Sequence, residues 1–466
     1  MPVHPLHLNG AGRADLCAVP AARPRKGGSR ALRGAHAGFP QRSLERLFIL
    51  FPATDTVRRP KQNPMEPDLT AMKNLSPSFA GADLAPRDFS ASTLLSLVVF
   101  AAITPLLLLV APAVAAQLAT QLGLSASQIG TYFFVELGAF SSATLPSLLW
   151  LGRVDARRVA ACAIVVFCAG NFATALLMPG FAGLLALRTA TALGGGTLMV
   201  LCMTSAATST NRDRVYGLWV VGQLVAGAIG LFVLPTLFAE FGLRVLYFAL
   251  GVLGLCAAPL VRGFDPALGR ASPASTHGHA SQTAATANTA ANAAFVIGGV
   301  FAFYVAIGGV WTFASRAAAL AGFDAARTGE VLAIASVMGI VGAACASLIG
   351  GRLARLAMLL AGYAILAVSL AGLAAHPGTA GYCAAVFAFK FAWTFVLPFI
   401  LAAAAKHDGS GRLIASLNFV IGAGLAAGPL IAGLLLDAGA SLAALFAGAV
   451  AICVLSCLCL LHVERN

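Results

Sequence analysis

Charge is scarce in this chain: 10% of its 466 residues are Asp, Glu, Lys or Arg, against 59% hydrophobic, with a mean hydropathy of +0.87. Soluble domains carry about 25% charged residues, so the composition excludes a soluble globule and indicates a polytopic membrane protein. Alternating segments of about ten residues, the mark of a transmembrane barrel, are missing too. No secretory signal is expected, because no long apolar stretch lies near the start. The apolar segments hold no cluster of nucleophile, base and acid, and His376, His407 and His462 fall in loops or at the end of a span. An enzyme is therefore not expected, nor is a cofactor or a metal. A non-transporting sensor would need a soluble signalling domain, and none is evident.

Apolar runs of about 20–25 residues dominate instead, long enough to cross about 30 Å of hydrocarbon as helix. Twelve spans are expected, at about 94–118, 126–150, 159–178, 181–205, 215–238, 244–263, 293–315, 328–350, 354–374, 379–402, 414–436 and 440–461. The breaks carry turn residues, as in Met178-Pro179-Gly180 and His376-Pro377-Gly378. Nine of the ten cysteines lie in these spans, where a thiol packs as a small apolar group. Cys457-Leu458-Cys459 sits in span 12 without a partner His or acid and reads as packing.

The formal net charge of +13 is unevenly spread: thirteen of the thirty Lys and Arg precede residue 90. Most others fall in alternate loops: Arg153, Arg157 and Arg158; Arg212 and Arg214; Arg262 and Arg270; Arg352 and Arg355; Lys406 and Arg412. The intervening loops hold only Arg244, Arg316 and Arg327. This positive-inside pattern puts both termini in the cytoplasm, and the expected location is the cell inner (plasma) membrane. The partner it implies is the lipid bilayer, not nucleic acid.

Four segments follow. Residues 1–90, rich in Arg, Pro, Gly and Ala, read as a disordered basic tail. Either translation begins at Met65 or Met72, or the tail is an arm on an anionic membrane surface. Residues 91–263 form a first set of six spans, 264–291 a polar, flexible linker, and 292–466 a second set of six. His277 and His279 in the linker make a poor metal site.

The two sets repeat. Arg157 and Arg355, Arg214 and Arg412, and Gly230 and Gly428 are each 198 residues apart. Parallel six-helix repeats about an axis normal to the membrane produce such an offset. The fold class expected is all-α membrane: twelve transmembrane helices in two pseudo-symmetric six-helix bundles.

Here the chain resembles the major facilitator superfamily, over about residues 90–462. After span 2 that family carries Gly-x-x-x-Asp-Arg-x-Gly-Arg-Arg. Arg157 and Arg158 match the closing basic pair, while Leu149 and Arg153 stand at the Gly and Asp positions. The echo after span 8 keeps Gly351, Leu353 and Ala354 and has Arg355 where Asp is usual. Arg188 and Gly194 match the span 4 signature. Gly428-Pro429 and Gly433 in span 11 look like the antiporter Gly-Pro motif, which is incomplete in span 5. The resemblance implies gating loops at Arg157, Arg158 and Arg355, and helix packing at Gly230, Gly428 and Pro429. It also implies a central cavity lined by spans 1, 4, 7 and 10, which Arg188 and Lys390 would face, and alternating access.

Three charges lie inside spans. At about 1.5 Å per residue, Glu136 is about 15 Å into span 2 and Arg188 about 10 Å into span 4; Lys390 is near the middle of span 10. A charge at the bilayer centre costs roughly 2.5–3.5 kcal/mol on insertion scales, so each needs water, a partner or a ligand. Glu136 either pairs with Arg188, fixing spans 2 and 4, or carries a proton. Lys390 either pairs with Glu136 across the cavity or awaits an anionic substrate. Two cations against one acid favour carboxylate-bearing solutes.

Tyr304 and Trp311, seven apart, share a face of span 7, and Trp393 is three residues from Lys390. These rings either stack on substrate or pack. Gln223 and Asn418 suit helix–helix hydrogen bonds. Gly194-Gly195-Gly196 lies within span 4 and suits close helix packing rather than a phosphate loop. Glu330 suits a helix N-terminus. The function expected is a secondary active transporter, a monomer, moving a small organic solute, with anions favoured and protons as the coupling ion. A proton/drug efflux antiporter remains the alternative.

Overall fold

The computed structural model describes residues 89–210, 212–268, 287–350, 352–406 and 412–465. The tail up to residue 88 and the linker over 269–286, with His277 and His279, lie outside these. The described chain is helical and contains no strand. Eleven segments are helical, long and apolar enough to cross a membrane.

The first expected span differs. It is three helices, Ala91–Ile103, Leu106–Leu109 and Ala111–Leu122. Pro105 offers no backbone N–H and its ring blocks the preceding turn. The Thr104 hydroxyl turns back onto the Phe100 carbonyl at 2.9 Å.

Span 2 runs through Ala126–Ser142 and Thr144–Trp150, span 3 through Ala156–Leu177, and span 4 through Phe181–Ala207. Span 5 is Arg212–Phe241, and span 6 is Arg244–Ala257, which tightens to a 3-10 helix up to Gly263. Span 7 covers Ala287–Thr312 and Ala314–Leu320, span 8 Ala325–Ile349 and span 9 Arg355–Ala374. Spans 10, 11 and 12 are Thr379–Lys406, Arg412–Asp437 and Leu442–Arg465.

The halves pack alike. Span 3 lies on 4 and 6, span 2 on 4, and span 1 on 5; span 9 lies on 10 and 12, span 8 on 10, and span 7 on 11. Span 2 meets span 11 across the divide, and span 5 meets span 8. A Cβ on Gly130 would strike the Pro429 carbonyl, and one on Gly329 the Leu231 carbonyl. Leu231 and Pro429 are 198 apart, so both crossings use the same carbonyl of the repeat. Toward the end away from the basic loops, the Asp437 carboxylate accepts from the N–H groups of Ala126 (3.0 Å) and Ser127 (2.9 Å), capping span 2 from the other half.

The turns repeat too. Met178 and His376, also 198 apart, both adopt left-handed backbone, with φ of 37° and 50°. Each ends its helix just before a proline, which cannot continue it.

The start of the expected flexible linker is packed instead. Phe264 and Leu268 are buried, Phe264 stacks on Phe100 at 5.8 Å, and the Ala156 N–H donates to the Pro266 carbonyl at 3.3 Å. Apolar side chains at both positions explain why the chain stays on the bundle past span 6.

Candidate functional site

Among the described residues, Glu136, Arg188 and Lys390 are the charged side chains that the fold buries. They form two separate centres, one in each half.

The first centre depends on how deeply span 4 settles. A Cβ on Gly194 would strike the Ala163 carbonyl of span 3, and one on Gly196 the Phe140 carbonyl of span 2. With neither present, the helices close in and Arg188 meets both neighbours. Its Nε donates to Glu136 Oε2 at 2.8 Å and its Nη2 to Glu136 Oε1 at 2.6 Å. Its Nη1 donates to Asn171 Oδ1 at 2.8 Å, and the Asn171 amide donates back to the Phe167 carbonyl at 2.9 Å. The Tyr247 ring of span 6 lies 5.1 Å from the guanidinium carbon, and its hydroxyl is 2.8 Å from that of Tyr132. Bidentate, charge-assisted bonds of this kind are the strong ones. Forming a buried pair yields little net stability, but removing one partner costs about 3–5 kcal/mol. Arg188 is 1% exposed.

The second centre has no acid. Lys390 is 3% exposed, and its Nζ lies 4.0 Å from the centre of the Trp311 ring and 4.1 Å from that of Trp393. The two rings meet edge-on at 6.3 Å, and Phe389 flanks Trp393 at 6.0 Å. One turn on, the Thr394 hydroxyl donates to the Gly339 carbonyl at 2.6 Å, tying span 10 to span 8. Among the described residues, no carboxylate lies within ion-pairing distance of Lys390. The buried Trp311 Nε1 has no acceptor among the described residues. A desolvated cation–π contact supplies about 2 kcal/mol, less than the several kcal/mol that burying an ammonium costs.

Thus Glu136 joins Arg188, and Lys390 joins Trp311 and Trp393. Lys390 does not pair with Glu136, because Arg188 holds both carboxylate oxygens. Tyr304 enters neither centre; it is buried, edge-on to Phe303 at 5.3 Å. Gln223 donates to the Ala101 carbonyl at 3.0 Å, linking spans 5 and 1. Glu330 pairs with Arg327 at 3.1 Å. The side chain of Asn418 lies outside the described residues. A Cβ on Gly230 would strike Val110, and one on Gly428 the backbone of Val305 and Gly309.

The basic loop residues fasten the ends of the helices. Arg157 Nε donates to the Phe264 carbonyl at 2.7 Å, and Arg355 pairs with Glu464 at 3.0 Å. Each ties the start of its half's third span to the end of its sixth. Arg158 is exposed. Asn171, Tyr132, Tyr247 and Asp437 are contributors that sequence reasoning passed over. Asn171 left a signal, as the sole amide side chain in span 3; the tyrosines and Asp437 left none apart from their partners.

A helical membrane chain of two matching halves, with charges buried inside its spans, has the architecture of a secondary transporter. The family model of the major facilitator superfamily matches residues 90–411, and the chain belongs to that superfamily. No curated protein matches the sequence. Among solved structures, it is similar to a point mutant of the nucleoside transporter NupG, at 12% identity and a TM-score of 0.61, covering 80% of this chain and 99% of that one. It is also similar to a D-xylose–proton symporter, at 14% identity and a TM-score of 0.61, covering 80% and 95%. A third is a bacterial homologue of the human lysosomal transporter Spinster in an inward-facing, unoccupied conformation, at 14% identity and a TM-score of 0.57, covering 80% and 95%. At these identities the likeness is one of fold.

Proposed function

We propose that this chain is a proton-coupled transporter of small organic anions, working by alternating access in the inner membrane with both termini in the cytoplasm. The observation that carries the reading is Lys390, a cation buried midway along span 10 with no opposing charge among the described residues. A bound carboxylate supplies that charge. The halves rock about the crossings of spans 2 with 11 and 5 with 8, exposing the site to one side at a time. Glu136 is the coupling group: among the described residues it is the one carboxylate buried inside a span, and a proton on it weakens its hold on Arg188. A proton-linked solute is also carried by a solved neighbour of this fold, the D-xylose–proton symporter.

The test is proton flux in energised everted vesicles pulsed with organic acids and, separately, with cationic dyes. The expected result is a response to acids that Lys390→Ala abolishes. A response to dyes alone overturns the anion reading in favour of a drug/proton antiporter. Coupling is tested in the paired variant Glu136→Gln with Arg188→Gln, which leaves no lone buried charge. It should keep solute counterflow and lose uphill transport; uphill transport at the parental level removes Glu136 from the coupling.

A further inference from the structure

Two polar demands are left open side by side in the C-terminal half. The Lys390 ammonium has rings around it but no anion. The Trp311 N–H, on one of those same rings, is buried without an acceptor. A carboxylate has two oxygens, so one can face the ammonium while the other accepts from the indole. A neutral alcohol would satisfy the N–H and leave the charge. A second carboxylate on the same ligand would find no free buried cation among the described residues, since Arg188 is held by Glu136 and Asn171. The rings gathered about Lys390 are flat and apolar: Trp311, Trp393 and, beside it, Phe389.

We infer that this site selects an arylcarboxylate, a single carboxylate borne on a planar aromatic body, held by Lys390 and the Trp311 N–H with its ring against the indoles. The inference rests on the anion reading above and narrows it to a substrate class. The aromatic body takes the place beside the indoles that they now give to the ammonium, so the rings keep a stacked neighbour while the charge gains its counter-ion. Trp311 is the specificity determinant, because its N–H fixes which edge of the carboxylate turns toward span 7.

The experiment uses the full chain, purified and reconstituted, with four probes: benzoate, cyclohexanecarboxylate, succinate and benzyl alcohol. Binding is read by indole fluorescence and by the shift in thermal unfolding, and transport by counterflow. Benzoate should bind roughly ten-fold more tightly than cyclohexanecarboxylate or succinate, and benzyl alcohol should give no shift. Trp311→Phe keeps a ring and removes the N–H. It should weaken benzoate roughly ten-fold, the value of one hydrogen bond to a charged group. If benzoate is bound no better than the other two acids, or if Trp311→Phe binds it unchanged, the arylcarboxylate inference falls while anion transport stands. If none of the three acids binds, both fall. The probe comparison on the parental chain decides the matter even should the variant fail to fold.

Discussion

Each half buries a cation in equivalent helices, 202 residues apart against a repeat of 198, and then treats it in opposite ways. In the N-terminal half, Arg188 is enclosed by a carboxylate, an amide and a tyrosine face drawn from spans 2, 3 and 6. In the C-terminal half, Lys390 is given two indoles and, among the described residues, no negative charge. The backbone repeat is close enough to align arginines, glycines and turns, yet the chemistry at its centre has diverged. One half closes its charge in a hydrogen-bonded network, while the other leaves a cation and an indole N–H unmatched among the described residues.

Three substitutions sharpen or break this contrast. The largest effect is expected from Arg188→Gln alone, which strands Glu136 in a buried site. Removing one member of a buried pair costs about 3–5 kcal/mol, so the purified variant should melt far below the parent, or fail to accumulate in the membrane. An unchanged melting temperature would mean that the pair is not closed in the folded state. Tyr247→Phe should act more gently. It keeps the ring over Arg188 and loses the hydroxyl bond to Tyr132, an expected loss of about 1 kcal/mol, read in the same unfolding assay. The smallest effect on stability belongs to Lys390→Gln. No partner is left behind, and relief from burying the ammonium offsets the lost ring contacts, for a net change within about 1 kcal/mol. A fall as large as that of Arg188→Gln would show that Lys390 is as much a part of the scaffold as Arg188, and the contrast would be lost.

Much of this was legible in the residues. Charged side chains are so rare in the spans that Glu136, Arg188 and Lys390 stand out, and among the described residues they are the charges the fold buries. The repeat was legible because arginines and glycines are fixed at loop and crossing positions. Partnership was not. Arg188 lies 52 residues from Glu136 and 17 from Asn171, and periodicity reports which face a residue occupies without saying which neighbour meets it. The break in span 1 was written in Pro105, but the mean apolarity of the segment masks a broken helix. The packing of Phe264 was hidden by the polar residues that follow it. Tyr304 and Trp311 share a periodicity yet part company in space, because only Trp311 lies where span 10 presents Lys390.

One feature of the crossings bears on how such a molecule moves. At Gly130 with Pro429, and at Gly329 with Leu231, main chain rests on main chain. In the rocking motion proposed above, such backbone contacts act as a bearing with few rotamers to rearrange, while Pro235 beside Gly329 and Ser141 beside Gly422 add side-chain contacts to the same two crossings. Whatever holds the halves in one position must then sit away from the axle. Asp437, gripping the first N–H groups of span 2 from the opposite half, stands where a catch on that bearing belongs.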